Sequence, residues 1–438
     1  MLRLAAVSAI VALGCGRTEP YRARLYDGGA GGAGGSGGTG GGSAIFEPLL
    51  VDLDQGVLTA HHLDGSAAFS RRLTSSHQRT FHLAPGAGVV GWLFREAGGT
   101  SFGLTQRDGA TRFRTDTFGA SMAWTSARGA VVSNGFSGLL VLGQTSRTFS
   151  LVPVEGATST GQVPVIDLQR RLAWVTPSTG AAGPASDPPV PSGGARLVGD
   201  RLYHATAAGV IERTPTADLM AAAPFALPQV LAANAARQAL LSDPTSSRLV
   251  VARFAPQVEV SPVKLESAGL SPMGTFTDRT LALDDEGRIY ATFAAPLGFQ
   301  VLRTATLGQT WEKVVEVPRS TLATTLRLEQ RGRSLLVLGT VSRGPAVEDL
   351  IFAAVVSLTG LTQRELPLGG AQTALLPLFP VALSSDGAYA AFWALSASTM
   401  TLRRLEVASG ILLDVETRPR PAGTPSEVLP LLTWLEGG

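Results

Sequence analysis

The residues best suited to metal chemistry stand near the start of the folded region, where His61 and His62 are adjacent and Asp64 follows. Imidazole and carboxylate groups are common zinc ligands. Neighbouring residues of a β-strand point to opposite faces, however, so the two imidazoles cannot readily reach one ion. The other histidines show no ligand spacing. The sequence therefore predicts no metal site and favours a solvated hairpin here.

Two acidic turns have some of the composition of a calcium-binding loop. Asp52, Asp54 and Gly56 alternate along the chain, and an Asp-Asp-Glu-Gly run occupies residues 284–287. A calcium loop needs an oxygen ligand where Gly56 stands and a glutamate at its end, and the second run lacks the spacing as well. These acids are predicted to shape turns.

Signatures of catalysis are missing from the sequence. Outside the glycine-rich residues 28–42 and residues 99–103 it contains no G-x-S-x-G nucleophile turn, and it has no H-E-x-x-H zinc motif, Walker loop or C-x-x-C pair. A glycosidase needs a pair of carboxylates or an equivalent nucleophile beside an acid, and no such constellation stands out. The sequence accordingly predicts no catalytic residue and no cofactor, and it favours a non-catalytic protein over an enzyme.

The one cysteine of the chain, Cys15, follows a short apolar segment. Arg3 supplies a positive charge, and residues 4–13 are apolar apart from Ser8. About ten apolar residues are too few to cross a hydrocarbon core, which requires about 20, so this segment is predicted to be an export signal. A single thiol cannot form a disulfide within the chain, and its position points to another chemical role.

The run Ala12-Leu13-Gly14-Cys15 resembles the lipobox of bacterial lipoproteins, which prefers leucine at the place of Ala12. The resemblance implies that residues 1–14 are a cleaved signal peptide. It also implies that Cys15 receives fatty acids such as palmitate, which anchor the protein in a membrane. Two or more acyl chains hold a protein stably, at about 0.8 kcal/mol per buried methylene. Because Gly16 follows the cysteine, the sorting rule of these lipoproteins implies the outer membrane, on its periplasmic or surface side.

A glycine-rich stretch separates this signal from the rest of the chain. Residues 28–42 read GGAGGAGGSGGTGGG, a composition that cannot bury a core. Residues 15–43 are therefore predicted to form a flexible tether with an end-to-end distance of roughly 30 Å. Residues 44–438 form the predicted folded domain. The net charge of +2, with no basic run, predicts that nucleic acid is not a partner.

Short β-type segments recur along residues 44–438, and many of them follow a polar turn. Examples are Gly88–Leu93, Arg128–Val132, Arg171–Thr176, Arg201–Ala205, Arg248–Phe254, Arg288–Phe293, Arg333–Val341 and Ala388–Leu395. The turns lie about 30 to 54 residues apart, a spacing that suits four-stranded propeller blades. The alanine-rich segment Val230–Leu241 is the best candidate for a helix.

Two turns carry a family resemblance. Residues 383–390 (LSSDGAYA) are similar to the S-x-D-G turn of bacterial WD40-like and TolB-like propellers. Residues 304–311 (TATLGQTW) look like the Asp-box hairpin of sialidase-type propellers, with Gly308, Thr310 and Trp311 in place and Thr306 at the aspartate position. Both resemblances imply a propeller fold. In its own family the Asp-box is a folding device away from the active site.

We therefore expect an all-β protein with a single β-propeller of about seven blades, within a range of six to eight. Residues 427–435 are expected to pair with residues 46–53 and so close the ring, which removes open sheet edges. Two β-sandwich domains, divided near residues 177–194, are the alternative fold.

A propeller presents loops on a rigid disc, so the predicted function is non-catalytic binding or scaffolding at the cell envelope. The partner would be a protein or a glycan, and the membrane would be held through the lipid on Cys15. A sialidase-like glycan hydrolase and a subunit of an envelope assembly complex are the alternative functions.

Overall fold

The computed structural model describes residues 47–436 with gaps, of which the longest are 74–79, 154–161, 184–194, 343–349, 369–380 and 420–429. These described residues contain 36 β-strands and one short 3-10 helix, Glu266–Ala268. The predicted all-β class is confirmed. None of the helical structure in the described ranges is long and apolar enough to cross a bilayer.

The strands form nine four-stranded antiparallel sheets within the described residues, named blades 1 to 9 in chain order. Blade 1 contains β1 (Leu49–Asp54), β2 (Val57–His61), β3 (Ala67–Arg72) and β36 (Leu431–Leu435). Blade 2 contains β4 (Thr80–Gly86), β5 (Val89–Glu96), β6 (Gly99–Gln106) and β7 (Thr111–Thr117). Blade 3 contains β8 (Met122–Ser126), β9 (Gly129–Ser133), β10 (Gly138–Leu142) and β11 (Thr145–Phe149).

Blade 4 contains β12 (Val152–Pro153), β13 (Val163–Ile166), β14 (Leu172–Thr176) and β15 (Ala181–Ala182). Blade 5 contains β16 (Arg196–Val198), β17 (Arg201–Thr206), β18 (Gly209–Arg213) and β19 (Asp218–Ala222). Blade 6 contains β20 (Gln229–Ala233), β21 (Gln238–Ser242), β22 (Leu249–Arg253) and β23 (Glu259–Val263). Blade 7 contains β24 (Leu281–Leu283), β25 (Ile289–Ala295), β26 (Gly298–Thr304) and β27 (Glu312–Pro318). Blade 8 contains β28 (Leu322–Arg331), β29 (Ser334–Ser342), β30 (Leu350–Ser357) and β31 (Thr362–Glu365). Blade 9 contains β32 (Val381–Leu383), β33 (Tyr389–Leu395), β34 (Thr399–Glu406) and β35 (Leu412–Pro419).

Each blade is a meander whose first strand lies innermost, except blade 1, where β36 takes the inner position and contacts β4 and β32. The first strands of several successive blades contact one another, as β4 and β8 or β20 and β24 do. The fourth strands are the most exposed; β19 and β35 are examples. The second and third strands are mostly buried on both faces, as β21 and β22 illustrate, because each blade packs between two neighbours.

The core lies between the blades rather than at one centre. Blade 6 packs on blade 7 through Leu240, Ile289 and Phe293, which are buried. Blade 8 packs on blade 9 through Leu336 and Phe392. Equivalent apolar clusters join blade 5 to blade 6, blade 7 to blade 8 and blade 9 to blade 1. Sheets stacked in this way around a ring form a β-propeller.

The two ends of the folded region close the ring in blade 1. Strand β36 from the C-terminal end pairs antiparallel with β1, and their register sets Leu49 opposite Leu435 and Val51 opposite Thr433. The indole of Trp434 also donates a hydrogen bond of 3.1 Å to the carbonyl of Ala382 in blade 9. The predicted pairing of residues 427–435 with residues 46–53 is confirmed for the described strands, Leu431–Leu435 and Leu49–Leu53.

The number of blades exceeds the expected six to eight, because the described residues form nine sheets. Residues 44–438 shared among nine sheets allow about 44 residues each, which agrees with the turn spacing better than a division by seven does. The alternative of two β-sandwich domains is wrong, since strands from both ends of the folded region share one sheet. The segment proposed to divide them, residues 177–194, lies largely outside the described residues.

Segment Val230–Leu241 is a β-hairpin rather than a helix, formed by most of β20 and β21. Asn234 makes its turn, with its side-chain oxygen accepting a hydrogen bond of 2.9 Å from the backbone N–H of Gln238. Both flanking strands are almost entirely buried and apolar. Strands buried on both faces lose the alternation that distinguishes them from a helix in sequence.

Candidate functional site

Five ionisable side chains meet at the junction of blade 9 and blade 1, and we name this group the closure cluster. Its members are Asp52 and Asp54 of β1, His61 of β2, and Glu416 and Arg418 of β35. Residues two apart on a strand share a face, which explains why each pair on β1 and β35 points the same way. The cluster therefore joins strands from opposite ends of the folded region.

Arg418 is the central cation of the closure cluster. Its Nη1 lies 2.8 Å from Asp52 Oδ1 and 3.3 Å from Asp54 Oδ2, while its Nη2 lies 3.2 Å from Asp52 Oδ2. The guanidinium also donates to both carboxylate oxygens of Glu416, with Nε 2.7 Å from Oε1. Its Cζ stands 5.2 Å from the ring centroid of Trp393, a cation–π distance.

The imidazole of His61 forms the other side of the cluster. Its Nε2 lies 3.1 Å from Asp52 Oδ2 and 3.6 Å from Glu416 Oε2. The Asp52 side chain is fully buried and that of His61 is 4 % exposed, whereas Glu416 is 35 % exposed. One edge of the cluster is thus open to solvent and the other is inside the protein.

The pKa values of the cluster reflect burial and the single guanidinium. Burial raises the pKa of Asp54 above its ordinary value, against the lowering effect of Arg418. The hydrogen bonds from Arg418 lower the pKa of Glu416, which is more exposed. Burial works to lower the pKa of Arg418, but the bonds and charges of Glu416 and Asp52 raise it above its ordinary value.

The structure separates the two adjacent histidines, because His61 is the last residue of β2 and His62 lies after the strand. The solvated hairpin predicted here is correct for His62 and wrong for His61. His61 is buried in the closure cluster, while the His62 side chain is 42 % exposed and its Nδ1 lies 3.5 Å from Glu47 Oε2. Asp64 is not part of the closure cluster. Its carboxylate accepts hydrogen bonds from the backbone N–H and the hydroxyl of Ser66 in the turn that follows β2.

The prediction that acidic residues shape turns is correct for one run and incomplete for the other. Asp284 accepts hydrogen bonds from the backbone N–H groups of Glu286 and Arg288, at 3.1 and 2.8 Å. Asp52 is instead a buried strand residue, and its ion pair with Arg418 was not predicted. The partner stands 366 positions along the chain, and its local pattern contains no sign of this contact.

The Asp-box resemblance is reflected in the turn that joins β26 to β27. Thr306 Oγ1 accepts a hydrogen bond of 3.0 Å from the N–H of Thr310, so a threonine hydroxyl provides the turn's side-chain acceptor. The indole of Trp311 donates to the carbonyl of Lys264 at 3.0 Å and its ring packs edge-on against Phe293. The turn serves to join blades 6 and 7.

A tyrosine, a glutamate and an arginine, the residue types of a sialidase-like site, meet where blade 5 contacts blade 6, but they lie in the interior. The hydroxyl of Tyr203 donates to Glu212 Oε2 at 2.8 Å, and Arg237 bonds the same carboxylate. Both Tyr203 and Glu212 are buried. Burial and the charge of Glu212 raise the pKa of Tyr203, which disfavours the phenolate a nucleophile needs. This trio stabilises the contact of blades 5 and 6.

No family model matches the sequence, and no curated protein matches it either. Solved structures similar to this chain include apo AztD from Citrobacter koseri, at 12% identity and a TM-score of 0.42, which covers 72% of this chain and 93% of that one. BamB from Moraxella catarrhalis is 12% identical at a TM-score of 0.37, covering 83% of this chain and 92% of that one.

TolB from Acinetobacter baumannii is also similar, at 10% identity and a TM-score of 0.33, covering 89% of this chain and 66% of that one. The predicted lipobox, with Cys15, lies outside the described residues. The described part of the chain is a β-propeller with nine blades, closed by strands from both of its ends.

Proposed function

We propose that the chain is a lipoprotein of the outer membrane that carries a non-catalytic propeller for binding or scaffolding a protein or glycan at the cell envelope. The anchor is Cys15, on the resemblance of residues 12–15 to a lipobox. Residues 15–43 then act as the tether between the lipid and the propeller.

The observation that carries the binding function is the closure of the propeller by strand β36 in blade 1. A closed ring is a rigid disc, and the connections between its strands are free to vary in sequence without loss of the fold. The acidic and tyrosine groups described above, at the closure cluster and at Tyr203, bond within or between blades. They stabilise the disc and leave binding to its surface.

The anchor is tested by Cys15→Ser in the native host, with incorporation of labelled palmitate as the measurement. The wild-type chain should incorporate label and lose residues 1–14, whereas the serine variant should remain unlabelled and unprocessed because a hydroxyl does not replace the thiol. Ala12→Leu is the matched control, since it restores the preferred lipobox residue and should keep labelling intact. Labelling of the serine variant would refute the anchor.

The outer-membrane assignment is tested separately by Gly16→Asp. By the sorting rule that the resemblance implies, an aspartate after the cysteine should shift the protein from the outer to the inner membrane fraction. A wild-type chain found in the inner membrane would overturn this part of the proposal.

The binding function is tested by photo-crosslinking in intact cells with the full-length chain. Met220 and Ile411 are large apolar residues on the surface, 57% and 59% exposed, and they belong to different blades. A crosslinking amino acid at each position, and in loops of both faces, should produce a reproducible adduct from at least one site. Failure of every exposed position to give an adduct would count against a binding module.

A further inference from the structure

We propose that His61, Asp52 and Glu416 of the closure cluster bind one divalent transition-metal ion of the zinc type. Among the residues the structure describes, these three are the group whose ligand atoms all lie within 4.8 Å of one another. The proposal goes beyond the binding function above, because it concerns the inside of the ring closure rather than the surface of the disc.

The spacing of the three donor atoms suits a tetrahedral ion. Metal–ligand bonds of about 2.0 to 2.1 Å place two ligand atoms of a tetrahedron about 3.3 Å apart. His61 Nε2 lies 3.1 Å from Asp52 Oδ2 and 3.6 Å from Glu416 Oε2, on either side of that value. All three atoms lie within 4.8 Å of one another, so one ion can contact all of them after the side chains adjust.

The charge of the closure cluster also favours a cation. Three carboxylates, those of Asp52, Asp54 and Glu416, face the single guanidinium of Arg418. The three carboxylates and the one guanidinium sum to two formal negative charges beside a fully buried Asp52 side chain. A dication would balance that charge where solvent is largely excluded.

Arg418 is the competitor of the ion and does not block it completely. Its Nη2 contacts the two oxygens that the metal would use, Asp52 Oδ2 and Glu416 Oε2. Its Nη1 holds different atoms, Asp52 Oδ1 and Asp54 Oδ2. Because Nη1 and Nη2 belong to one rigid guanidinium, Arg418 must turn Nη2 away from these two oxygens before the ion can take them, and zinc is expected to compete with this side chain.

The donor set determines which ion we expect. Imidazole nitrogen combined with carboxylate oxygens suits zinc, whereas calcium and magnesium select oxygen ligands in larger numbers. The ion would connect β1 and β2 of blade 1 with β35 of blade 9. It would thus strengthen the contact between the first and last blades of the ring.

The test is a zinc titration of the full mature chain, purified in detergent through a tag that contains no histidine, against a chromophoric chelator. We expect one ion per chain. His61→Gln should weaken the affinity by more than about 100-fold, since loss of an outer-shell partner alone costs about 10- to 100-fold and here the nitrogen ligand itself is lost. Glu416→Gln should weaken it at least about tenfold. The matched control is His62→Gln, which alters the exposed neighbouring imidazole and should leave the affinity unchanged.

Two further measurements keep the outcome decisive. Zinc should raise the melting temperature of the wild-type chain and of His62→Gln but not of His61→Gln, and calcium should not raise it in any of them. If His61→Gln fails to fold, Glu416→Gln decides the matter, since that side chain is partly exposed and its amide keeps the same shape. Arg418→Gln should bind zinc more tightly than the wild type.

The proposal is overturned if the wild-type chain binds no zinc, or if His62→Gln loses as much affinity as His61→Gln. It is equally overturned if the His61 and Glu416 variants bind as the wild type does. None of these results bears on the lipid at Cys15, so failure here and failure of the proposed anchor are distinguishable.

Discussion

Replacing Arg418 by glutamine tests how strongly the closure cluster holds blade 9 to blade 1. The change removes the guanidinium that bonds Asp52, Asp54 and Glu416 and leaves Asp52, whose side chain is fully buried, with His61 as its remaining ionisable partner. Removing one partner of a buried ion pair costs about 3 to 5 kcal/mol. Arg418 is 17 % exposed, so we expect the lower end, about 3 kcal/mol.

This loss converts into a measurable change of melting temperature. Unfolding entropy near 2.1 cal/mol/K per residue gives a folded region of this size a slope of roughly 0.8 kcal/mol per kelvin, so 3 kcal/mol lowers the midpoint by about 4 °C. Circular dichroism melts in the presence of a chelator measure it without any contribution from bound metal. Urea unfolding of the same samples provides a second measurement.

The matched control is Arg403→Gln on the neighbouring strand β34. Arg403 pairs with Asp414 at 2.7 Å, but the two side chains are 27 % and 60 % exposed. A surface pair of this kind contributes at most about 1 kcal/mol. The reasoning about the closure cluster is refuted if Arg418→Gln lowers the melting temperature no more than Arg403→Gln does.

The pKa shifts of the cluster predict opposite pH dependences for Glu416→Gln and Asp54→Asn. The lowered pKa of Glu416 adds stability above its unfolded value that disappears as pH falls through the folded value, so Glu416→Gln should be less stable than wild type near neutrality and approach it in acid. The raised pKa of Asp54 acts the other way, because ionisation of this carboxyl opposes folding. Asp54→Asn should therefore be at least as stable as wild type near neutrality, and the difference should fade as pH falls. Urea unfolding midpoints of both variants from pH 3 to 7 check the two signs. Asp284→Ala should cost about 3 kcal/mol, because the carboxylate accepts two backbone bonds and also holds a guanidinium and a buried phenol, and Asp284→Asn should recover part of the loss in the same unfolding assay. Gly308→Ala should cost at least about 2 kcal/mol, since its φ is +83° and a Cβ would meet the carbonyl of Lys264 at 2.2 Å; unchanged stability would contradict the backbone geometry of this turn.

Much of the fold could be predicted from local pattern. The turns at 284–287 and 384–387 and the apolar segments after them are the hairpins of blades 7 and 9. The pairing of the C-terminal segment with β1 was also predicted, since an unpaired edge there would remain exposed. The best helical candidate, Val230–Leu241, is a hairpin, and its sequence did not show this because a strand buried on both faces has no alternation.

The candidate site could be predicted only in part. His61 and Asp52 attracted attention by residue type, and His62 is separate from His61 as predicted, although it lies after the end of β2 rather than on the strand. Glu416 and Arg418 offered no signal, because a Glu-x-Arg pattern on a strand is ordinary and nothing local indicates what faces it. The zinc site proposed above depends on Glu416 beside His61, a contact that the sequence did not indicate.

The sequence by itself determined the all-β class and the closing strand, because both follow from the order of apolar and turn residues over short distances. The export signal before Cys15 stays a prediction of the same kind. Tertiary structure decided that nine sheets share the ring and that two acids of β1 face an arginine of β35. The physical reason is the same in both cases. Blade number and contacts between blades depend on how whole sheets pack around the ring, and that packing brings together residues more than 350 positions apart.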